Sequence, residues 1–97
     1  EYKADSLAGR TGNAFIETIS VDTTNKPGWA VASKARYLVY MVTDPETIYL
    51  IDMRALHVAL PVWKARYPVR QAQNFGYRTH GLLVPLLELE RIAIAVW

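Results

Sequence analysis

The sequence predicts an α+β domain: a mixed, mainly antiparallel central sheet flanked by helices. Three observations carry that prediction. Ala14–Asp22 alternates with period 2, placing Phe15, Glu17, Ile19 and Val21 on one face and Ile16, Thr18 and Ser20 on the other. Two short apolar runs, Arg36–Thr43 and Thr47–Asp52, are separated only by Asp44-Pro45-Glu46, which reads as a hairpin. Met53–Tyr67 then switches to helical spacing, with Met53, Leu56, Leu60, Trp63 and Tyr67 on one stripe. A chain of 97 residues, 52% of them apolar, is expected to form one small domain over residues 1–97.

Taken in order, Glu1–Asp5 reads as the end of a strand. Ser6–Asn13 is polar and carries Gly9 and Gly12, so it reads as a loop. Thr11-Gly12-Asn13 serves loop geometry there, since Gly and Asn accept left-handed backbone. Ala14–Asp22 is expected to return antiparallel to the first strand, which would bring Glu17 back near Glu1 and Lys3. Thr23–Gly28 is a second loop with Asn25, Pro27 and Gly28 as breakers. Trp29–Ala35 reads as a short helix. Arg36–Thr43 reads as a central strand buried on both faces. The helix over Met53–Tyr67 is expected to break near Leu60, with Pro61 opening a second short piece. Pro68–Tyr77 reads as an irregular basic loop and Thr79–Val84 as a last strand. Pro85 suits the first turn of a C-terminal helix that buries Leu86, Leu89, Ile92, Ala93 and Val96.

Composition narrows the function classes. There is no cysteine, which excludes a disulfide framework and any Cys-based metal centre. No apolar run approaches the ~18–20 residues of a membrane-spanning helix, so no membrane partner is expected. The net charge of +2 is unevenly placed. Residues 1–52 hold five Lys/Arg against seven Asp/Glu, net −2, and residues 53–97 hold six against two, net +4. No acid occurs from Met53 to Leu87, a segment that interleaves basic residues with Trp63, Tyr67, Phe75 and Tyr77. Cations that neutralise phosphates beside rings that stack on bases are what a nucleic-acid surface requires; the same residues read equally well as an Arg-decorated surface with the aromatics in the core.

The chemistry concentrates at the first strand. Glu1 and Lys3 are two apart on extended backbone and so share a face, with Asp5 continuing the row. A carboxylate able to hold a divalent cation beside an ammonium able to steady a phosphate suits metal-assisted phosphodiester hydrolysis. Glu17, set among Phe15, Ile19 and Val21, is awkward for a core position and calls for a cation or metal partner. Asp5 is read as a turn-capping carboxylate. His57 is read as a surface or structural histidine, and His80 follows Thr79 near the last strand, with a role at the site edge as its minor reading. Trp29, Trp63 and Trp97 are read as core or interface anchors.

Glu1-Tyr2-Lys3-Ala4-Asp5, Thr11-Gly12-Asn13-Ala14-Phe15-Ile16-Glu17, Pro27-Gly28-Trp29 and Ser33-Lys34-Ala35-Arg36-Tyr37-Leu38 together resemble the phage and bacterial branch of the PD-(D/E)xK nuclease superfamily. The resemblance covers residues 1–52; residues 53–97 follow it only in outline. It implies a restriction-endonuclease-like core, divalent-metal-dependent hydrolysis of DNA with Mg²⁺ or Mn²⁺, and action in the cytoplasm of a bacterial or phage-infected cell. Glu1 and Lys3 match the E-x-K positions, and Glu17 matches the acid after the TGN loop. Glu1, Lys3 and Glu17 are therefore the implied catalytic set, with Glu1 and Glu17 as metal ligands. An Asp on a preceding strand has no counterpart, so either an upstream strand precedes Glu1 or the chain is an incomplete or inactive relative. Arg36 stands where relatives carry Asp. Lys26, Lys34, Arg36, Arg54, Arg66, Arg70 and Arg78 are the candidate phosphate contacts. The alternative is a non-catalytic nucleic-acid-binding or oligomerisation domain on a degenerate nuclease fold. An open strand edge or an apolar end at Ala95-Val96-Trp97 would then support a homodimer.

Overall fold

The computed structural model describes all residues, 1–97, as an α+β fold with two four-stranded sheets. The chain runs β1 (Tyr2–Asp5), α1 (Ala8–Thr11), β2 (Asn13–Val21), a 3₁₀ turn (Asp22–Thr24), β3 (Lys26–Pro27) and α2 (Trp29–Ala32). It continues through β4 (Tyr37–Val42), β5 (Thr47–Asp52), α3 (Met53–Arg66), β6 (Val69–Gln73), β7 (Arg78–Pro85), α4 (Leu86–Ile92) and β8 (Ala93–Val96). One sheet has the order β1-β4-β5-β8 and the other β3-β2-β7-β6. Pairing is antiparallel throughout except between β1 and β4. The mixed, mainly antiparallel α+β class is therefore as expected, with the strands divided between two sheets.

The β4–β5 hairpin forms in the expected place, with Tyr37 opposite Asp52 and Val42 opposite Thr47. β4 is an interior strand, burying Leu38, Tyr40 and Val42 and leaving Val39 and Met41 half-buried. The expected hairpin between the first two strands does not form. β1 instead lies parallel to β4, pairing Lys3 with Tyr40, while β2 pairs with β7 in the other sheet. The cause is local. Asp5 accepts hydrogen bonds from the Leu7 and Ala8 amides, both at 2.9 Å, and winds the expected loop into α1. Gly12, with φ +76°, ends that helix and redirects the chain.

Three further segments differ from expectation. α3 runs unbroken through Pro61, because Leu60 and Trp63 on either side of it are buried and Pro61 itself faces outward. Water on the exposed side can satisfy the carbonyl that loses its partner. Val69–Gln73 is a strand rather than irregular chain. It pairs with β7 across a turn closed by the Asn74 amide donating to the Tyr77 carbonyl at 2.8 Å, with Gly76 at φ +83°. The C-terminal helix stops at Ile92, and Ala93–Val96 alternates as a strand against β5, leaving Val96 and Trp97 exposed. An Ala-Ile-Ala-Val run fits either period, and the free edge of β5 decides for the strand.

The core draws on both sheets and the helices: Ala14 and Ile16 of β2, Leu38, Tyr40 and Val42 of β4, Leu56, Leu60 and Trp63 of α3, Leu82 and Val84 of β7, and Leu89 of α4. Trp63 finds a polar partner in Glu88, whose carboxylate accepts its indole N–H at 3.0 Å and the Arg91 guanidinium at 2.7 Å. Ala14 and Ile16 face this core, so Phe15 and Glu17 face the other way. No helix is long and apolar enough to cross a membrane.

Candidate functional site

The outer face of β2 forms one wall of a cleft of about 410 Å³. Lys3 and Asp5 enter it from β1, Phe15 and Glu17 from β2, Trp29 from α2, Tyr40 from β4 and Arg70 from β6. The period-2 row on β1 is realised: Lys3 and Asp5 are half-buried, Tyr2 and Ala4 exposed. Lys3 and Glu17 line this cleft from different sheets, with no ion pair between them, and Glu1 is not part of its lining.

Lys3 holds its ammonium 3.4 Å from Glu1 Oε2 and 5.8 Å from the centre of the Trp29 ring. Both partners of that ion pair remain partly open to solvent, so the pair contributes about 0–1 kcal/mol and yields readily to a better anion. Glu17 takes part in none of the chain's four ion pairs. Its backbone and Cγ press on Gly28, where an added Cβ would lie 2.5 Å from the Glu17 carbonyl oxygen and 2.6 Å from Cγ. That contact seats Trp29, the next residue, beside Glu17 in the cleft. Across β7, Gly81 is the partner of both Glu17 and Arg70, so all three residues share one face. Two strand spacings put the Glu17 and Arg70 backbones about 10 Å apart, with a residue lacking a side chain between them. The Phe15 ring covers Gly81.

Asp5 and Tyr40 make the floor. Asp5 Oδ1 accepts from the Leu7 and Ala8 amides. Oδ2 accepts from the Tyr40 hydroxyl at 2.5 Å and from the Phe15 amide at 3.3 Å. The Phe15 amide also reaches the Tyr40 oxygen at 3.1 Å. Burial first, and then the Asp5 carboxylate, push the Tyr40 phenol well above its ordinary value of 10, so it stays a proton donor. The capping role expected of Asp5 is present, and with four donors on one carboxylate it is committed to the fold.

The candidate phosphate contacts fall into separate groups. Arg70 lines the cleft. Lys34, Arg36 and Arg54 line a different hollow together with His57. Arg66 is exposed at the end of α3, its guanidinium 6.0 Å from the Tyr67 ring centre. Arg78 is held by Gln73 at 2.9 Å and Gln71 at 3.0 Å, and Lys26 is exposed on β3. His80 pairs with Asp22 at 3.4 Å and does not line the cleft. Tyr40 and Trp29 are the cleft residues the sequence did not mark as such. The signal for Trp29 was the Gly28 before it, a position where close backbone approach is expected.

No three His, Asp or Glu side chains gather into a ready-made metal cage. The donors are nonetheless of the type a magnesium ion takes: one or two carboxylates, with water and a substrate phosphate completing the shell. Of the two expected ligands, Glu17 lines the cleft and Glu1 does not; Glu1 stands beside it, paired with Lys3. Comparison of the chain with protein-family models, with curated proteins and with solved structures gives no match.

Proposed function

We propose that the cleft binds a DNA phosphodiester and, with a divalent cation, hydrolyses it. The observation that carries this reading is the convergence of Lys3, with its partner Glu1, and Glu17 from two separate sheets on one cleft that Arg70 also lines.

The residues divide the work by chemistry. Lys3 leaves its weak pair with Glu1 for a phosphate oxygen and stabilises charge that builds there as the bond breaks. Arg70 neutralises a phosphate at the opposite wall. Trp29 offers a ring face at the rim, where a base can stack. Glu17 and the freed Glu1 would hold Mg²⁺ or Mn²⁺. The cation, when bound, supplies polarisation of the phosphate and a more acidic water. Tyr40 and Asp5 keep the floor fixed and exchange no proton with substrate. The place of action on this reading is the cytoplasm of a bacterial or phage-infected cell.

A second reading, a binding domain without catalysis, is favoured by one observation: the acid nearest Lys3 on the cleft floor, Asp5, is saturated by donors of the fold. Plasmid nicking in Mg²⁺ or Mn²⁺ separates the two. The parent is expected to nick, and Lys3→Ala to slow nicking about 10²–10³-fold, the cost of removing one charge-stabilising donor. A folded parent that binds DNA but leaves it intact with either metal supports the second reading and overturns the first.

A further inference from the structure

The second hollow, of about 510 Å³, lies where the chain leaves α2 and enters β4, against the first turns of α3. Lys34, Arg36, Arg54 and His57 line it. Its apolar lining is Ala35 and Met53, and its only ring is the His57 imidazole. Asp52, just outside, is the nearest acid, and its carboxylate is already engaged. Oδ1 accepts from the Arg54 amide at 2.8 Å, and Oδ2 from the Arg54 guanidinium at 3.2 Å. Those bonds, and the nearby Arg36 charge, hold the Asp52 carboxyl below its usual range. Lys34 and Arg36 belong to none of the chain's ion pairs. The Arg36 carbonyl accepts the Met53 amide at 2.8 Å, which ties this loop to the start of α3 and fixes the hollow's two sides together.

We infer that this hollow is a second phosphate subsite, holding a phosphodiester of the same nucleic-acid strand that occupies the cleft. The inference rests on the nucleic-acid reading of the cleft. Three permanent cations face a single committed carboxylate, so the hollow attracts an anion. Its one ring is the His57 imidazole, set among three cations, so its contact is chiefly with the charged backbone. α2 joins the two sites: Trp29 at its start lines the cleft, and Ser33 just past its end lines the hollow. Its four residues rise about 6 Å. That is on the order of one nucleotide step along a single strand, which is longer than the ~3.4 Å rise measured along a duplex axis. A strand leaving the cleft along α2 therefore brings a flanking phosphate to Lys34 and Arg36.

The test is fluorescence anisotropy of a labelled eight-nucleotide single strand and a labelled dinucleotide, in EDTA, across a salt series. The proteins are the parent, Lys34→Gln with Arg36→Gln, and Lys3→Gln. Lys34 and Arg36 are exposed and lie outside helices and strands, and the Arg36–Met53 bond is a backbone one, so the double variant keeps its far-UV circular dichroism. Lys34→Gln alone serves as a milder check. The double variant is expected to bind the eight-mer about tenfold more weakly and to lower its salt slope by about 1.4, at about 0.7 per single-strand phosphate. Dinucleotide binding, confined to the cleft, is expected to stay unchanged. Unchanged eight-mer binding and slope in the double variant would overturn the second subsite and leave the cleft reading standing. Eight-mer binding lost in the double variant but untouched in Lys3→Gln would overturn the shared strand and the cleft reading together. Displacement of the eight-mer by inorganic phosphate at concentrations matched to the oligonucleotide would assign a free-phosphate site and also overturn the proposal.

Discussion

Replacing Asp5 tests whether the cleft floor holds the domain together. Its carboxylate gathers four donors from three elements and the turn between them. Two of these lose little when it is removed. The Leu7 amide is exposed and turns to water, and the Phe15 amide keeps the Tyr40 oxygen at 3.1 Å. The Ala8 amide and the Tyr40 hydroxyl are in a less accessible environment. Each hydrogen bond to a charged group is worth about 1.5–3 kcal/mol, so losing these two makes Asp5→Ala cost about 3–6 kcal/mol. Tyr40→Phe keeps the ring and removes one such bond, at about 1.5–3 kcal/mol. Both variants lose the same Asp5–Tyr40 bond, but only the double variant leaves the Phe15 amide with neither acceptor, and the two effects oppose each other, so the single variants carry the test. Urea unfolding of the parent and the two single variants, with m-values checked for constancy, measures the costs. A cost below about 1 kcal/mol for Asp5→Ala would refute the account of the floor, given a typical total stability of about 5–15 kcal/mol.

Gly28→Ala should cost about 1–3 kcal/mol through overpacking against the Glu17 backbone, and should weaken nicking by displacing Glu17 and Trp29; thermal unfolding beside the plasmid assay reads both. The Asp22 carboxyl is held below its ordinary 3.8, chiefly by the Arg78 amide and then by His80. The folded state therefore takes up that proton less readily than the unfolded one, and the resulting stabilisation is present above the ordinary value and lost as pH falls through the lower folded one. Asp22→Asn should accordingly flatten the decline of melting temperature on the acid side, and an unchanged acid slope would show that Asp22 contributes nothing to it.

What the sequence made legible is what neighbours along the chain decide. The β4–β5 hairpin follows from Asp44-Pro45-Glu46 between two apolar runs, and the α3 stripe from spacing alone. Choice of partner is another matter. Alternation in Ala14–Asp22 marks a strand but carries no label for which strand it joins, and Asp5 diverts the chain before a hairpin can close. The same alternation made Glu17 look misplaced, because the strand's core face is the one carrying Ala14 and Ile16. Lys3 and Glu17 were legible as chemistry. Their meeting place was not, since it depends on how two sheets pack. The division of the basic residues between cleft and hollow was equally hidden: Arg70 and Arg66 are four apart in the chain yet serve different surfaces.

The carboxylate under the cleft also decides how the cleft can respond to what enters it. Widening the floor would stretch the short bond between Asp5 and Tyr40 and pull on the turn that starts α1. Adjustment on that side is therefore paid in stability of the whole domain. The walls answer to a different rule, because Lys3 and Arg70 carry flexible stems and weak or no partners. On the proposed reading, a ligand would be accommodated by the reach of two cationic arms over a fixed bed. Discrimination by thickness falls to the bed, and tolerance of varied backbone paths falls to the arms.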